Sequence, residues 1–158
     1  MTIKALKNVV LDDTDNKIIL VLKEDSKQPY RMIAKKLLMP VTTVHHRIMK
    51  LEKEGVIKKY TIKLNNKAIG NDVCAYLLIK VDYNSLTRKG ITQQQLALKL
   101  KHRIEVEDVA LITGLRDIII KIRTKSVEEL NQLVTKDLRN IVGVRSTETM
   151  LILDELEY

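Results

Sequence analysis

The order of apolar patterns after residue 72 constrains the fold more than any other feature of the sequence. Four short runs are rich in aliphatic and β-branched side chains, which is typical of strands, and they cover residues 73–81, 106–113, 118–122 and 144–153. Two runs place apolar side chains at helical spacing, at residues 93–101 and 127–138. The order strand, helix, strand, strand, helix, strand predicts a ferredoxin-like βαββαβ domain.

The first third of the chain has helical spacing. Asp12, with Asp15 three residues later, predicts an N-cap and an acidic first turn for one helix, and residues 30–37 predict a second. A third helix is expected from Val41 to about Glu54. Pro40 breaks the preceding helix, and Gly55 supplies a left-handed C-cap. Three short helices with a tight turn before the last predict a helix-turn-helix unit.

The two patterns together predict an α+β protein in three parts. Residues 1–62 form the helix-turn-helix domain, and an extended segment with alternating apolar residues runs from its end into the linker, over residues 56–64. Residues 63–72 are a polar linker, and residues 73–158 form the ferredoxin-like domain. Apolar runs at residues 118–120 and 151–153 are expected on edge strands that need covering, which predicts at least a dimer.

Positive charge is concentrated at the N-terminal end. The chain carries 28 Lys and Arg against 20 Asp and Glu, and residues 1–60 account for +6 of the net +8. This asymmetry favours a polyanionic partner such as nucleic acid, although a lysine-rich surface without a partner is the alternative. The single cysteine, Cys74, lies in an apolar run and is expected to be a buried side chain in a reducing compartment. No apolar run approaches the ~20 residues that span a bilayer, so we expect a cytoplasmic protein without a membrane partner.

The third helix has one apolar and one polar face. At about 100° per residue, Val44, Ile48 and Leu51 fall on one side, while His45 and Arg47 flank them. In a helix-turn-helix protein the second helix of the motif enters the major groove of DNA. The side chains expected to face base edges are Thr42, Thr43, His46 and Lys50. The flanking residues expected to contribute further DNA contacts, chiefly to phosphates, are His45, Arg47, Lys35, Lys36, Lys53, Lys58 and Lys59.

The adjacent histidines fit no metal or catalytic site. Neighbouring helix residues point about 100° apart, whereas zinc-binding helices use i, i+4 spacing. The third histidine, His102, lies in the other domain, and no Ser, Cys or carboxylate stands at a spacing that would support catalysis. We therefore expect no metal, no cofactor and no catalytic residue.

Several segments resemble the Lrp/AsnC family of transcription regulators. They are LDDTDNKIIL (11–20), VTTVHHRIMKLEKEGVIKKYTIKL (41–64), NKAIG (66–70), VEDVALITGLRDIIIKI (106–122) and GVRSTETMLIL (143–153). The resemblance implies a DNA-binding helix-turn-helix, winged or plain, a connecting strand, and a ferredoxin-like domain that dimerises through its sheet, with dimers assembling further into tetramers or octamers. The predicted dimer would place two recognition helices about one DNA turn (~34 Å) apart on a pseudo-palindromic duplex. The resemblance also implies that an amino acid or related molecule binds between dimers, near residues 114–117. Pro40 replaces a serine common at the start of the recognition helix, and residues 83–104 are longer and more polar than is usual in the family.

The resemblance extends to candidate effector-binding residues. They are Gly114, Leu115, Arg116, Asp117, Thr147 and Thr149. Gly114 would let a ligand carboxylate approach backbone N–H groups, Arg116 would bind that carboxylate, and Asp117 would accept from a ligand ammonium group. One alternative is ordinary turn chemistry, in which Asp117 bonds to a nearby backbone amide. Another is that Arg116 and Asp117 only pair with side chains of a neighbouring subunit.

Two other functions fit parts of the sequence. Decarboxylases of haem-precursor tetrapyrroles resemble the same two-domain architecture, and His45 and His46 would then face substrate carboxylates. An architectural DNA-binding protein shares the charge but does not need an effector domain. The polar face of the third helix favours a sequence-specific regulator over an enzyme.

Overall fold

The computed structural model describes residues 9–155 and divides the chain into two compact units between Lys63 and Leu64. The first unit is helical, and the second combines an antiparallel sheet with helices. The predicted α+β class is confirmed. Within the described range, no helix combines the length and the apolar character needed to cross a membrane.

Three helices form the first unit: α1 (Asp13–Glu24), α2 (Tyr30–Leu37) and α3 (Val41–Lys53). Their apolar faces meet in one core, whose buried residues are Ile18, Val21, Ile33, Ala34, Val44, Ile48 and Leu51. The helix-turn-helix prediction is confirmed, including the buried stripe of α3.

The ends of these helices follow from local chemistry. The Asp12 side chain accepts from the Asp15 amide and the Asp15 side chain accepts from the Asp12 amide, which completes a capping box. Pro40 gives α3 no side-chain cap, but its φ of −61° suits a helix start, so the helix begins at Val41 as predicted. Leu38, in the turn between α2 and α3, has a φ of +53° and is 93% exposed.

The segment after α3 joins no sheet within the described chain. Tyr60 contacts α3, since its hydroxyl donates a hydrogen bond to a Glu52 carboxylate oxygen at 2.7 Å. Ile62 remains 79% exposed, so the alternating pattern of residues 56–64 does not correspond to a buried strand here.

The second unit contains a four-stranded antiparallel sheet in the order β2-β3-β1-β4. This order and the helical crossovers confirm the ferredoxin-like prediction. The elements are β1 (Val73–Val81), α4 (Tyr83–Lys89), α5 (Gln93–Lys101), β2 (Val106–Leu111), β3 (Ile118–Thr124), α6 (Val127–Gln132) and β4 (Val144–Leu151). Short 3-10 turns cover Lys67–Ile69 and Leu138–Asn140.

Three local features differ from the sequence-based expectation. An additional helix, α4, begins after Asp82, whose side chain accepts from the Ser85 amide. The helix expected over residues 127–138 changes at Leu133 into a π-helical turn, which runs to Asp137. The assignment of β3 to a sheet edge was wrong, because β3 lies between β2 and β1, and Ile118 and Ile120 are buried in the core.

The sheet has one covered and one open face. Strand residues alternate between the two faces, so Ala75, Leu77, Ile79 and Val81 pack into the core with the helices. We call the other side the open sheet face, which includes Tyr76, Leu78, Ile119 and Met150 according to the strand register. Tyr76 is 39% and Met150 53% exposed, so this face carries accessible apolar area.

Candidate nucleic-acid interface

The outward surface of α3 is the principal candidate for contact with DNA. Val44, Ile48 and Leu51 have no exposed surface, which fixes the rotation of the helix on its unit. The opposite side therefore faces solvent, and it carries Thr42, Thr43, His46, Lys50 and Lys53. Of these, Thr43 is half-buried and the other four are exposed. We call these five residues the outer face of α3.

Arg47 anchors one flank of α3. Its guanidinium donates to the Asp15 carboxylate at 3.0 Å and also to the Asp12 carboxylate, so it joins α3 to the capping box of α1. Hydrogen bonding from Arg47 lowers the pKa of Asp12. The structure thus gives Arg47, expected from the sequence to contact phosphates, two carboxylate partners within its own unit.

Aromatic and hydroxyl contacts anchor the other flank. The His45 ring lies 5.3 Å from the Tyr30 ring of α2, and 5.9 Å from His46 in an edge arrangement. Glu52, also on α3, accepts a hydrogen bond from the Tyr60 hydroxyl. Burial of Tyr60, together with this carboxylate, raises the pKa of Tyr60 to about 12. His45 therefore contacts α2 as well as solvent. Tyr30, Glu52 and Tyr60 were missed as positioning residues because their contacts join separate elements.

The lysines expected to contact phosphates are exposed. Lys35 and Lys58 lie on the surface of the first unit, whereas Lys36 pairs with Glu24 of α1 at 2.6 Å. The Lys36–Glu24 pair is itself largely exposed, so its contribution to stability is small and the lysine stays accessible.

The loop between β2 and β3 is the second candidate region. Gly114 has a φ of +112°, and a Cβ there would meet no atom within 4 Å. Leu115 is 86% exposed, and an Nη atom of Arg116 donates to a Glu148 carboxylate oxygen on β4 at 2.7 Å. The loop therefore reaches across β1 to the opposite edge strand, with an open backbone at Gly114.

Asp117 is held inside its own chain. Its carboxylate accepts from the Val81 amide at 2.8 Å, from the Lys80 ammonium at 3.3 Å and from the Tyr83 hydroxyl at 3.3 Å. Burial acts to raise the pKa of Asp117, but hydrogen bonds from Val81 and Lys80 outweigh it, and the net pKa is lowered. This is the backbone-amide arrangement left open by the sequence. It ties the loop to the end of β1.

Thr147 and Thr149 do not join Arg116 on one surface of this chain. In the register of β1 and β4 they pair with Ile79 and Leu77, so they lie on the covered side, whereas Glu148 lies on the open sheet face. The Thr147 hydroxyl accepts from the Arg139 Nε at 2.9 Å. On the open side, the contact of this loop that the strand register places is that of Arg116 with Glu148, next to Gly114 and Leu115 in the chain.

Histidines, cysteines and carboxylates do not gather into a metal-binding group anywhere in residues 9–155. Cys74 is buried, with its sulfur 3.9 Å from a Glu155 oxygen, and burial raises the pKa of its thiol.

Comparisons with known proteins agree with this two-unit arrangement. A winged helix-turn-helix DNA-binding family matches residues 11–58, and the Lrp/AsnC ligand binding domain matches residues 74–158. The HTH-type transcriptional regulator FL11 of Pyrococcus furiosus is 40% identical over 91% of this chain and 90% of its own length.

Solved structures show the same fold. LrpC of Bacillus subtilis superposes with a TM-score of 0.78 at 25% identity, covering 94% of this chain and 99% of its own. A transcriptional regulator of Neisseria meningitidis, crystallised as an L-Met complex, gives a TM-score of 0.84 at 19% identity and covers 94% of both chains. The exposed face of α3, the helix-turn-helix match and the matching second unit lead to one conclusion: this chain belongs to the Lrp/AsnC family of DNA-binding transcription regulators.

Proposed function

We propose that this regulator recognises a specific, pseudo-palindromic DNA duplex through the outer face of α3. The observation that supports this most directly is the anchoring of α3 on both flanks, by Arg47 and by His45, which leaves one polar side presented to solvent. A rigidly held helix with that exposure suits insertion into the major groove. A cytoplasmic location follows from this proposal, since the protein must reach chromosomal DNA.

The residues divide into three roles. Thr42, Thr43, His46 and Lys50 contact base edges, because hydroxyl, imidazole and ammonium groups match the donors and acceptors of the major groove. Lys35, Lys36, Lys53, Lys58 and Lys59 contact phosphates and set affinity more than sequence preference. Arg47 and His45 position α3, with His45 also close enough to the outer face to touch the duplex.

A second copy of the chain completes the DNA-binding unit. The accessible apolar area around Tyr76 and Met150 on the open sheet face supports a dimer formed through that face. The dimer would hold two α3 helices about one DNA turn (~34 Å) apart, with tetramers or octamers as further assemblies. Sedimentation should show at least a dimer at micromolar concentration, and a monomer would contradict this assembly.

Binding measurements on a selected operator and on random duplexes test the residue roles. The variant His46→Ala should lose about 1–3 kcal/mol on the operator and much less on random DNA. Lys58→Ala should weaken both by the same factor and reduce the salt slope by about one ion. An equal loss by His46→Ala on both duplexes would remove the base-reading role.

We further propose that an amino acid or related small molecule regulates the protein at the loop of residues 112–117. The open backbone at Gly114 and the guanidinium of Arg116 support a site for a carboxylate. Asp117 serves to hold the loop, given its three contacts within the chain. Thr147 and Thr149 would take part only through a different subunit.

Calorimetry with the common amino acids tests this regulatory site. Gly114→Val should abolish the binding heat of any ligand found, while Lys58→Ala, in the other unit, should retain it. The Gly114 variant should keep its oligomeric state and its DNA affinity. If no amino acid binds the wild-type protein at about millimolar concentration, where binding is worth only about 4 kcal/mol, amino-acid sensing is refuted and DNA binding stands independently.

A further inference from the structure

His45 and His46 occupy different environments although they are adjacent. The ring of His45 lies against Tyr30 of α2. His46 belongs to the outer face of α3, and helical spacing places Lys50 one turn after it. The two imidazoles therefore differ in what they can contact when another molecule approaches α3.

The carboxylates of the first unit that lie in the helices near these histidines contact other side chains. Each has a cationic or hydroxyl partner in the described contacts: Asp12 and Asp15 with Arg47, Asp13 with Lys17, Glu24 with Lys36, and Glu52 with Tyr60. Glu54, at the C-cap of α3, is eight residues and more than two helical turns from His46. Among the described contacts no carboxylate reaches His46. The charged groups on its own face, Lys50 and Lys53, are cationic, and so are those of α2, which packs against α3: Arg31, Lys35 and Lys36.

This distribution of charge links protonation of His46 to an external anion. DNA placed against the outer face brings negative phosphates and base acceptors next to His46, and nearby negative charge favours the protonated form of an imidazole. A protonated imidazole donates from both ring nitrogens, whereas the neutral ring donates from only one. Histidine changes charge between about pH 5 and pH 8, so this exchange falls in a physiological range.

We propose that His46 contacts DNA as the imidazolium ion, so that DNA binding takes up one proton and strengthens as pH falls. This deepens the proposed function and rests on it, since it requires the outer face of α3 to meet DNA. His46 takes up its proton when the DNA phosphates approach, and loss of this proton at higher pH weakens the complex with DNA. His45, which packs against Tyr30, keeps its contact with α2 and does not carry the coupling.

Fluorescence anisotropy with the full-length protein and a selected duplex tests the coupling, at about pH 6 and about pH 8 in the same salt. The wild-type protein should bind about tenfold more tightly at the lower pH, with a salt slope steeper by about one ion. His46→Gln keeps a polar side chain that does not titrate, so its affinity should not change between the two pH values. The matched control His45→Gln should retain the wild-type pH dependence, and His46→Lys should bind equally at both.

Three results would overturn the proposal: equal wild-type affinity at both pH values, an undiminished pH dependence in His46→Gln, or its loss in His45→Gln. Thermal melting of each variant at both pH values establishes that folded proteins are compared. If the wild-type protein binds neither the selected nor a random duplex at either pH, the proposed function fails as well. Binding to DNA without a pH effect refutes the proton coupling alone.

Discussion

The guanidinium of Arg47 on α3 lies 3.0 Å from the carboxylate of Asp15 on α1, and Asp15 is almost fully buried. Asp15 also belongs to the capping box that starts α1. One cation therefore fixes the orientation of the recognition helix against the start of the first helix. The contact gives a polar residue of the DNA-binding motif a positioning role that its sequence position alone does not indicate.

Replacement of Arg47 should destabilise the first unit. Arg47→Met removes the positive charge that pairs with the Asp15 carboxylate. That buried carboxylate then keeps the Asp12 amide as its main hydrogen-bond donor. Thermal melting should show a clear decrease in the midpoint. Lys36→Met, which breaks the exposed pair with Glu24, should cost only about 0–1 kcal/mol. Equal effects of the two substitutions would show that Arg47 is an ordinary surface residue.

Leu38 should be more stable as glycine. Its φ of +53° is left-handed, which costs an L-residue about 1–2 kcal/mol, and its 93% exposure means that little apolar burial would be lost. Glycine removes this strain but adds freedom to the unfolded chain, so Leu38→Gly should gain up to about 1 kcal/mol. Urea unfolding should give a higher midpoint with an unchanged slope. A lower midpoint would mean that Leu38 makes stabilising contacts despite its exposure.

The bounds of helices and strands could be predicted from the sequence wherever local periodicity and capping residues determine them. The bounds of α2, β1 and α5 and the start of α3 were all predicted, because apolar spacing, Pro40 and Gly55 act within a few residues. The helix α4 was missed because only Leu86 is buried among its seven residues, which leaves little helical periodicity to detect. The edge assignment of β3 failed because strand order depends on pairing between distant segments.

In the candidate sites too, features set by local geometry could be predicted from the sequence, and features set by tertiary contacts could not. The outward position of His46 and Lys50 follows from helical geometry alone, so the outer face of α3 could be predicted. The hydrogen bond from Arg47 to Asp15 joins residues 32 positions apart in the sequence. The hydrogen bond from the Val81 amide to Asp117 joins residues 36 positions apart. The face that Thr147 occupies also needed the strand register. Tertiary contacts of this kind carry no periodic signal.

Gly143 should tolerate alanine poorly. A Cβ at this position would lie 2.9 Å from Leu86 Cγ and 3.3 Å from Leu96 Cδ2, and the backbone φ is +96°. Overpacking of a core costs about 1–3 kcal/mol in addition to the backbone strain. The matched control is Gly114→Ala, which has a similar φ of +112° and open space around its Cβ. Urea unfolding should therefore show a larger loss for Gly143→Ala, and equal losses would contradict the packing argument.

Acid should destabilise the second unit through Glu155. Its carboxylate accepts from Lys121 at 2.6 Å and from Arg123 at 2.7 Å, and these bonds lower its pKa to about 2 from an ordinary value of 4.5. Because the folded-state pKa is the lower one, the unfolded chain binds more protons between these values. The contribution of Glu155 is therefore complete above the ordinary value and is lost as pH falls toward 2.

Urea unfolding at several pH values between about 5 and 2 measures this loss. Glu155→Gln should lower the free energy of unfolding near neutral pH and flatten its decline in acid, since the variant has no carboxylate to protonate there. Salt should reduce the difference, because Glu155 is partly exposed. Asp154→Asn removes the same charge one residue away and should retain the wild-type decline. A variant at Glu155 that declines as steeply as the wild-type protein would assign the acid sensitivity to other carboxylates.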